Sequence, residues 1–175
     1  ALHSIDVEKE GLMDFGKSGN YFERQVGRWI KQYRAAETEA YTEIESLITW
    51  LEDNMPSDDG MISIVHGDYR LYNMIFSQSG NKILAVLDWE LSTIGHPYAD
   101  LAYQCMNWYI PKIGITPGLY GLNLEGTGIP TEEEYIESYC NKMGIDHILN
   151  WPFYLAFGFF RLAGIAQGVY KRSIM

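Results

Sequence analysis

Between residues 21 and 33 the apolar side chains Phe22, Val26, Trp29, Ile30 and Tyr33 recur at three- and four-residue steps, the spacing of one helix face. Ile44, Leu47, Ile48 and Leu51 repeat the pattern, so a second amphipathic helix is predicted, stopped by the turn formers of NMPSDDG at 54–60. The pattern then changes. Residues 62–65, 74–76 and 83–87 are short apolar or β-branched runs parted by polar and glycine turns, and they predict small strands. After Pro97 the chain reads as helical over 99–108, then as a glycine- and proline-rich loop over 111–130. Thr131 with three glutamates behind it predicts a capped helix to about Met143, because a hydroxyl and carboxylates satisfy the free amides and the dipole of a first turn. A last helix is predicted from Trp151 to about Tyr170. The expected fold class is α+β, mostly α, with one small sheet.

That last segment, WPFYLAFGFFRLAGIAQGVY, is nearly long enough to span a bilayer. Arg161 and Gln167 interrupt it, and an arginine at mid-span is costly in lipid. A helix buried at the centre of a helical lobe is therefore expected, and no membrane partner. With 175 residues, 47% of them hydrophobic, the chain can build one globular core, and a single domain over 1–175 is expected. Thirteen Lys and Arg against 23 Asp and Glu leave a formal charge of −10, which argues against nucleic acid or an anionic membrane surface as partner. Two cysteines, Cys105 and Cys140, are too few for a disulfide framework, and ALHSIDVEKE lacks the basic start and apolar run of a secretion signal. A cytoplasmic location is the expectation.

The chemistry concentrates in ISIVHGDYRLYNMIF, residues 62–76, where a strand ending at Val65 delivers His66, Gly67, Asp68 and, five residues later, Asn73. A hairpin follows, and its second strand, ILAVL, runs into Asp88 of LDWE. Asp68, Asn73 and Asp88 thus present oxygens from strand ends and loops. Magnesium takes oxygen ligands and keeps waters, so one carboxylate and one carboxamide, Asp88 and Asn73, suffice beside nucleotide phosphates. Asp68 is left free to accept a proton from a substrate hydroxyl as that oxygen attacks a terminal phosphate. His66 reads as a loop-shaping side chain that bonds the backbone. Glu90 fits a helix start as well as it fits the metal's waters.

HGDxxxxN with LDWE downstream resembles the catalytic loop of the protein-kinase-like fold, in the form carried by the aminoglycoside phosphotransferase and choline kinase group. Within that group VHGDYRLYNMIF, AVLDWELSTIGHPYADLA and FRLAGIAQGVY are most similar to the kinase domain found beside acyl-CoA dehydrogenases. The resemblance implies that Asp68 is the catalytic base, that Asn73 and Asp88 hold Mg2+, and that Asp100 braces the catalytic loop. It further implies a cationic role for Arg70 near the transferred phosphate, and a place for Ile75 in the apolar floor beneath the adenine of ATP. His96 departs from the group, standing where an aspartate is common in its GDP phrase, and a surface or cap role is expected there. The implied activity is ATP-dependent phosphorylation of a small-molecule hydroxyl, on a hydroxyacyl-CoA, an amino sugar or an amino alcohol.

Residues 11–18, GLMDFGKS, match the pattern of a phosphate-cradling P-loop, but the preceding SIDVEKE is too charged for a buried strand and Asp14 would face the phosphates. A surface loop is expected. A complete kinase of this type also needs a β-rich lobe with a glycine-rich lid and a strand lysine, and none is legible before Tyr21. The chain is therefore expected to be the C-terminal lobe alone, with its small hairpin sheet carrying the catalytic loop. The alternative is a kinase-like module that has lost phosphotransfer and serves binding.

Overall fold

In the computed structural model, which describes residues 2–80, 82–112 and 118–175, the first periodic segment becomes α1 (Tyr21–Ala36), whose stripe of Phe22, Val26, Trp29 and Tyr33 is buried. The second becomes α2 (Thr42–Asp53), which buries Ile48 and Leu51. The strands follow as β1 (Ser63–Val65), β2 (Met74–Phe76), β3 (Ile83–Val86) and β4 (Thr93–Gly95), and then α3 (Tyr98–Cys105), α4 (Glu132–Met143) and α5 (Trp151–Ser173). Short 3-10 turns lie at Leu2–Ser4, Leu71–Asn73, Trp89–Leu91 and Met106–Trp108. The predicted helix over 99–108 is thus α3 plus a 3-10 turn. Of the predicted loop over 111–130, residues 113–117 lie outside the described residues, and the remainder forms neither helix nor strand.

The expected single sheet is two separate antiparallel pairs. β2 pairs with β3 as the predicted hairpin, with an irregularity between Ile75 and Phe76. β1 pairs with β4 instead, in the register Ser63↔Gly95, Ile64↔Ile94 and Val65↔Thr93. The HGD segment therefore leaves the β1–β4 pair and leads into the hairpin, bridging the two pairs instead of sitting on one. β4 escapes a periodicity reading because its three residues, Thr-Ile-Gly, hold one large apolar side chain. Three residues cannot display an alternation.

The core gathers where α5 packs on α1, α2 and α3. Phe153, Phe157 and Phe160 of α5 meet Phe22, Val26 and Tyr33 of α1, Leu51 of α2 and Ala102 of α3. Rings meet edge to face at Phe22–Phe153 and Phe22–Phe157, with centroids 5.4 and 5.5 Å apart, the arrangement that aromatic quadrupoles prefer. Arg161 stays inside this core with its guanidinium over the rings of Trp29, at 5.4 Å, and Tyr103, at 4.9 Å. No helix among the described residues is long and apolar enough to cross a membrane. At the start of α4, Thr131 Oγ1 accepts from the Glu134 amide as the cap predicted there requires, and the Thr131 amide donates to Glu134 Oε2 in return.

Residues 11–18 run through turns and coil, and among the described residues no strand precedes them. The Lys17 carbonyl, which faces the guanidinium of Arg24, accepts from its Nη2 at 2.6 Å. A P-loop there is excluded by its surroundings. Cys105 and Cys140 are both free and buried.

Candidate active site

β1 ends at Val65 and the chain turns sharply through Gly67, at φ +85°, where an added Cβ would stand 2.6 Å from the Leu91 carbonyl oxygen. Only glycine fits that approach, and it also supplies the left-handed backbone at no steric cost. The turn aims two successive amides at Asp100, in the first turn of α3: the His66 amide donates to Oδ2 at 2.6 Å and the Gly67 amide to Oδ1 at 2.8 Å. Asp100 is 2% exposed, and both its oxygens are engaged. His3 approaches Oδ2 at 3.4 Å and meets the Tyr139 hydroxyl at 2.9 Å through its other ring nitrogen. Nothing in the local spacing announces His3, since its partners lie about a hundred residues away.

Asp68 is buried at the next position, and its carboxylate is gripped from one side. Asn73 Nδ2 donates to Asp68 Oδ2 at 2.9 Å and to the Asp68 carbonyl at 2.8 Å. Arg70 Nη2 reaches the same Oδ2 at 2.9 Å. Both side chains fall on Oδ2, which leaves Oδ1 clear of them. The phenol of Tyr103 stands beside this carboxylate, within hydrogen-bonding reach of it. Burial raises the phenol's pKa first, the Asp68 charge adds to the rise, and the Arg161 charge opposes it.

His66, fully buried, ties this loop to the next one: its Nε2 lies 2.9 Å from the Leu87 carbonyl and its Nδ1 accepts from the Asp68 amide at 3.2 Å. A carbonyl needs a donor and an amide needs an acceptor, so the neutral ring with hydrogen on Nε2 is the form that fits both. The Leu87 amide in turn donates to the Asn73 carbonyl at 2.8 Å. Asp88 follows directly, exposed, in left-handed backbone at φ 66° and ψ 55°. Short acidic and amide side chains tolerate that region better than branched ones.

The geometry thus joins Asp68, Asn73 and Arg70 by side chains and His66 and Asp100 through the loop backbone, while Asp88 follows Leu87, whose amide bonds the Asn73 carbonyl. Ile75 stands apart from the polar cluster, 44% exposed on the hairpin with Phe76, Ile83 and Leu84. Glu90 lies in the 3-10 turn after Asp88. His96 is not on the surface: it is 5% exposed, its Nδ1 accepting from the Tyr98 amide at 3.3 Å at the start of α3 and its Nε2 lying 3.4 Å from Asp59 Oδ2. Aromatic neighbours Phe22, Tyr98 and Tyr154 close it in.

Among the described residues no three or more His, Cys, Asp or Glu side chains are grouped to hold a metal alone. A site of one carboxamide and one carboxylate, completed by phosphates, is compatible with that. The Asn73 nitrogen is committed to Asp68, so its carboxamide oxygen is the end that could face a hard cation.

Beside the cluster opens a cavity of about 270 Å³ that sequence reasoning did not find. Arg70, Tyr103 and Gln104 line it together with Met106, Ile110 and Leu162. A wider, open groove along α1, beside Arg24, Arg28 and Lys31, shares no residue with it.

Known proteins resemble the chain closely. Residues 1–133 match the model of the phosphotransferase enzyme family. The mouse acyl-CoA dehydrogenase family member 10 is 51% identical over 99% of this chain and 16% of its own length. Human acyl-CoA dehydrogenase family member 11 is 43% identical over 99% of this chain and 22% of its own. The chain therefore spans about a fifth of these curated relatives. A solved structure from Ralstonia eutropha, provisionally assigned as an aminoglycoside phosphotransferase, superposes with a TM-score of 0.94 and 48% identity over 99% of this chain and 53% of that one. With a family model matching well over half of its length and a solved fold coinciding over nearly all of it, the chain belongs to the phosphotransferase enzyme family, in the protein-kinase-like fold.

Proposed function

We propose that the chain carries the catalytic loop and metal-binding residues of a small-molecule kinase that moves the terminal phosphoryl group of ATP to an alcohol. The observation that carries this reading is the one-sided grip on Asp68, with Asn73 and Arg70 both on Oδ2 at 2.9 Å. A carboxylate held that way keeps a fixed orientation, with Oδ1 clear of both of those side chains. The acceptor's O–H proton passes to Oδ1 as its oxygen attacks the terminal phosphorus, and the bond from that phosphorus to the bridging oxygen breaks, releasing ADP. Arg70, paired with Asp68, would balance charge on the group in flight. Mg2+ held by Asn73 and Asp88 would neutralise the nucleotide phosphates, and Ile75 would lie beneath the adenine.

In this reading the chain is the C-terminal lobe of the kinase and a nucleotide-covering lobe completes it. The exposed apolar hairpin side chains Ile75, Phe76, Ile83 and Leu84 support a covering layer there. Two free buried cysteines suit a reducing compartment such as the cytoplasm. Of the three acceptor classes, a hydroxyacyl-CoA draws support from the mostly apolar cavity beside Asp68 and from the names of the dehydrogenase relatives.

The test is Asp68→Asn in the full-length protein, assayed for ATP-dependent phosphorylation of hydroxyacyl-CoAs, amino sugars and amino alcohols. The expected result is a fall in turnover of about a hundredfold or more, the range of a positioned base. Turnover retained in Asp68→Asn would remove the base assignment.

A further inference from the structure

Three buried side-chain atoms lack a hydrogen-bond partner among the described residues: Ser92 Oγ, Gln104 Oε1 and Arg161 Nε. Arg161 has its two aromatic faces. Gln104 is the one that lines the cavity beside Asp68. It sits near the end of α3, 8% exposed, directly after Tyr103, whose phenol neighbours the proposed base. The nearby amide Asn107 is accounted for, because its Nδ2 donates to the Gln104 backbone carbonyl at 2.7 Å. The Gln104 side chain takes no part in that bond.

A buried carboxamide oxygen without a partner is a cost to the folded chain. Methionine or leucine would fill the same space beside Met106 and Leu162 without that cost, so packing does not explain glutamine here. A half-turn about its last torsion exchanges oxygen and nitrogen, and it can therefore match either a donor or an acceptor in the cavity. The charge on the cavity wall restricts the ligand further. Arg70 lines it, and none of its described lining residues is a carboxylate. A cationic acceptor would lose its hydration there and find no carboxylate among the lining residues to pair with its charged end.

We infer that Gln104 is a specificity residue for the acceptor, its carboxamide pairing with a neutral polar group, an amide, ester or second hydroxyl, borne on an otherwise apolar body. This rests on the reading above that the cavity beside Asp68 receives the acceptor. It separates acceptors by a group away from the reacting hydroxyl: plain alcohols leave Gln104 unpaired, and amino alcohols meet the wrong charge.

The experiment is ligand-induced thermal stabilisation of the full-length protein without nucleotide, using three probe series of four to six carbons: alkan-1-ols, ω-hydroxyamides and ω-amino alcohols. The native protein is expected to bind the best hydroxyamide about tenfold more tightly than the matching alcohol, the worth of one neutral hydrogen bond, and to ignore the amino alcohols. Gln104→Met is expected to lose that preference while its ligand-free midpoint equals or exceeds the native one. Gln104→Glu is expected to admit the amino alcohols. A preference that survives in Gln104→Met, or a ligand-free midpoint in that variant several degrees below native, overturns the inference, the second by showing that Gln104 serves the fold. Because no phosphate is transferred, binding that behaves as expected while Asp68→Asn keeps full turnover would sink the base assignment and leave this one standing.

Discussion

Asp100 holds the amides of both His66 and Gly67, one on each carboxylate oxygen, at 2.6 and 2.8 Å. The bonds set the backbone one residue before Asp68, so the proposed base is placed by a carboxylate 32 positions further along the chain. Asparagine at position 100 keeps one acceptor and turns the other into a donor facing an N–H. Bonds to a charged partner in a buried site are worth more than neutral ones. Asp100→Asn is therefore expected to cost about 2 kcal/mol of stability in urea unfolding and to lower turnover with the acceptor KM little changed. Unchanged unfolding would show that the loop is set elsewhere.

Asn73 faces Asp68 with its nitrogen, and that choice of atom has a chemical consequence. Asn73→Asp keeps an oxygen for a metal but brings a second carboxylate to within about 3 Å of the first. Two like charges at that distance resist joint ionisation, and one of the pair binds its proton more tightly. The acidic limb of the pH–rate profile is expected to move to higher pH in Asn73→Asp, with the Mg2+ requirement retained. A limb that stays in place would mean that Asp68 does not set it.

The helices were legible because each displays its period several times, as Phe22, Val26, Trp29 and Tyr33 do along α1. The short-range part of the candidate site was legible for a similar reason: Asp68, Arg70 and Asn73 lie within six residues and meet through one loop. What was hidden depends on distant partners. The pairing of β1 with β4 joins residues some thirty positions apart, and a strand of Thr-Ile-Gly carries no signal of its own. His3 meets Asp100 only because the chain returns there. His96 was expected as a surface or cap residue, and the tertiary fold buries it while leaving its cap bond to Tyr98. Gln104 has no local pattern at all, since an unpaired atom is defined by everything around it.

Burial lowers the pKa of His96 from the ordinary 6.5, and the charge and hydrogen bond of Asp59 and the charge of Asp58 only partly oppose it, with His3 adding to the lowering. Below 6.5 the unfolded chain binds this proton and the folded chain does not, until the lower folded value is reached. Stability contributed by neutral His96 is therefore complete above 6.5 and drains away as the pH falls through that window. Urea midpoints measured from pH 7.5 down to 5.5 are expected to fall more steeply for the native protein than for His96→Gln, which cannot titrate. Parallel curves would place the titrating group elsewhere.

Asp88 combines a left-handed backbone, φ 66° and ψ 55°, with an exposed carboxylate that has no bonded partner among the described residues. Its backbone and its charge can be separated. Asparagine is at ease in that region, so Asp88→Asn is expected to leave the thermal midpoint in place while raising the Mg2+ concentration needed for half-maximal turnover by about tenfold or more, since a hard cation loses a formal charge from its ligands. Valine is not at ease there, and Asp88→Val is expected to destabilise the fold by about 1–2 kcal/mol besides. Circular-dichroism melts and a Mg2+ titration of the full-length protein read the two effects independently. If Asp88→Asn lowered the midpoint as far as Asp88→Val without moving the Mg2+ dependence, Asp88 would be a turn residue and the metal would have to be held without it.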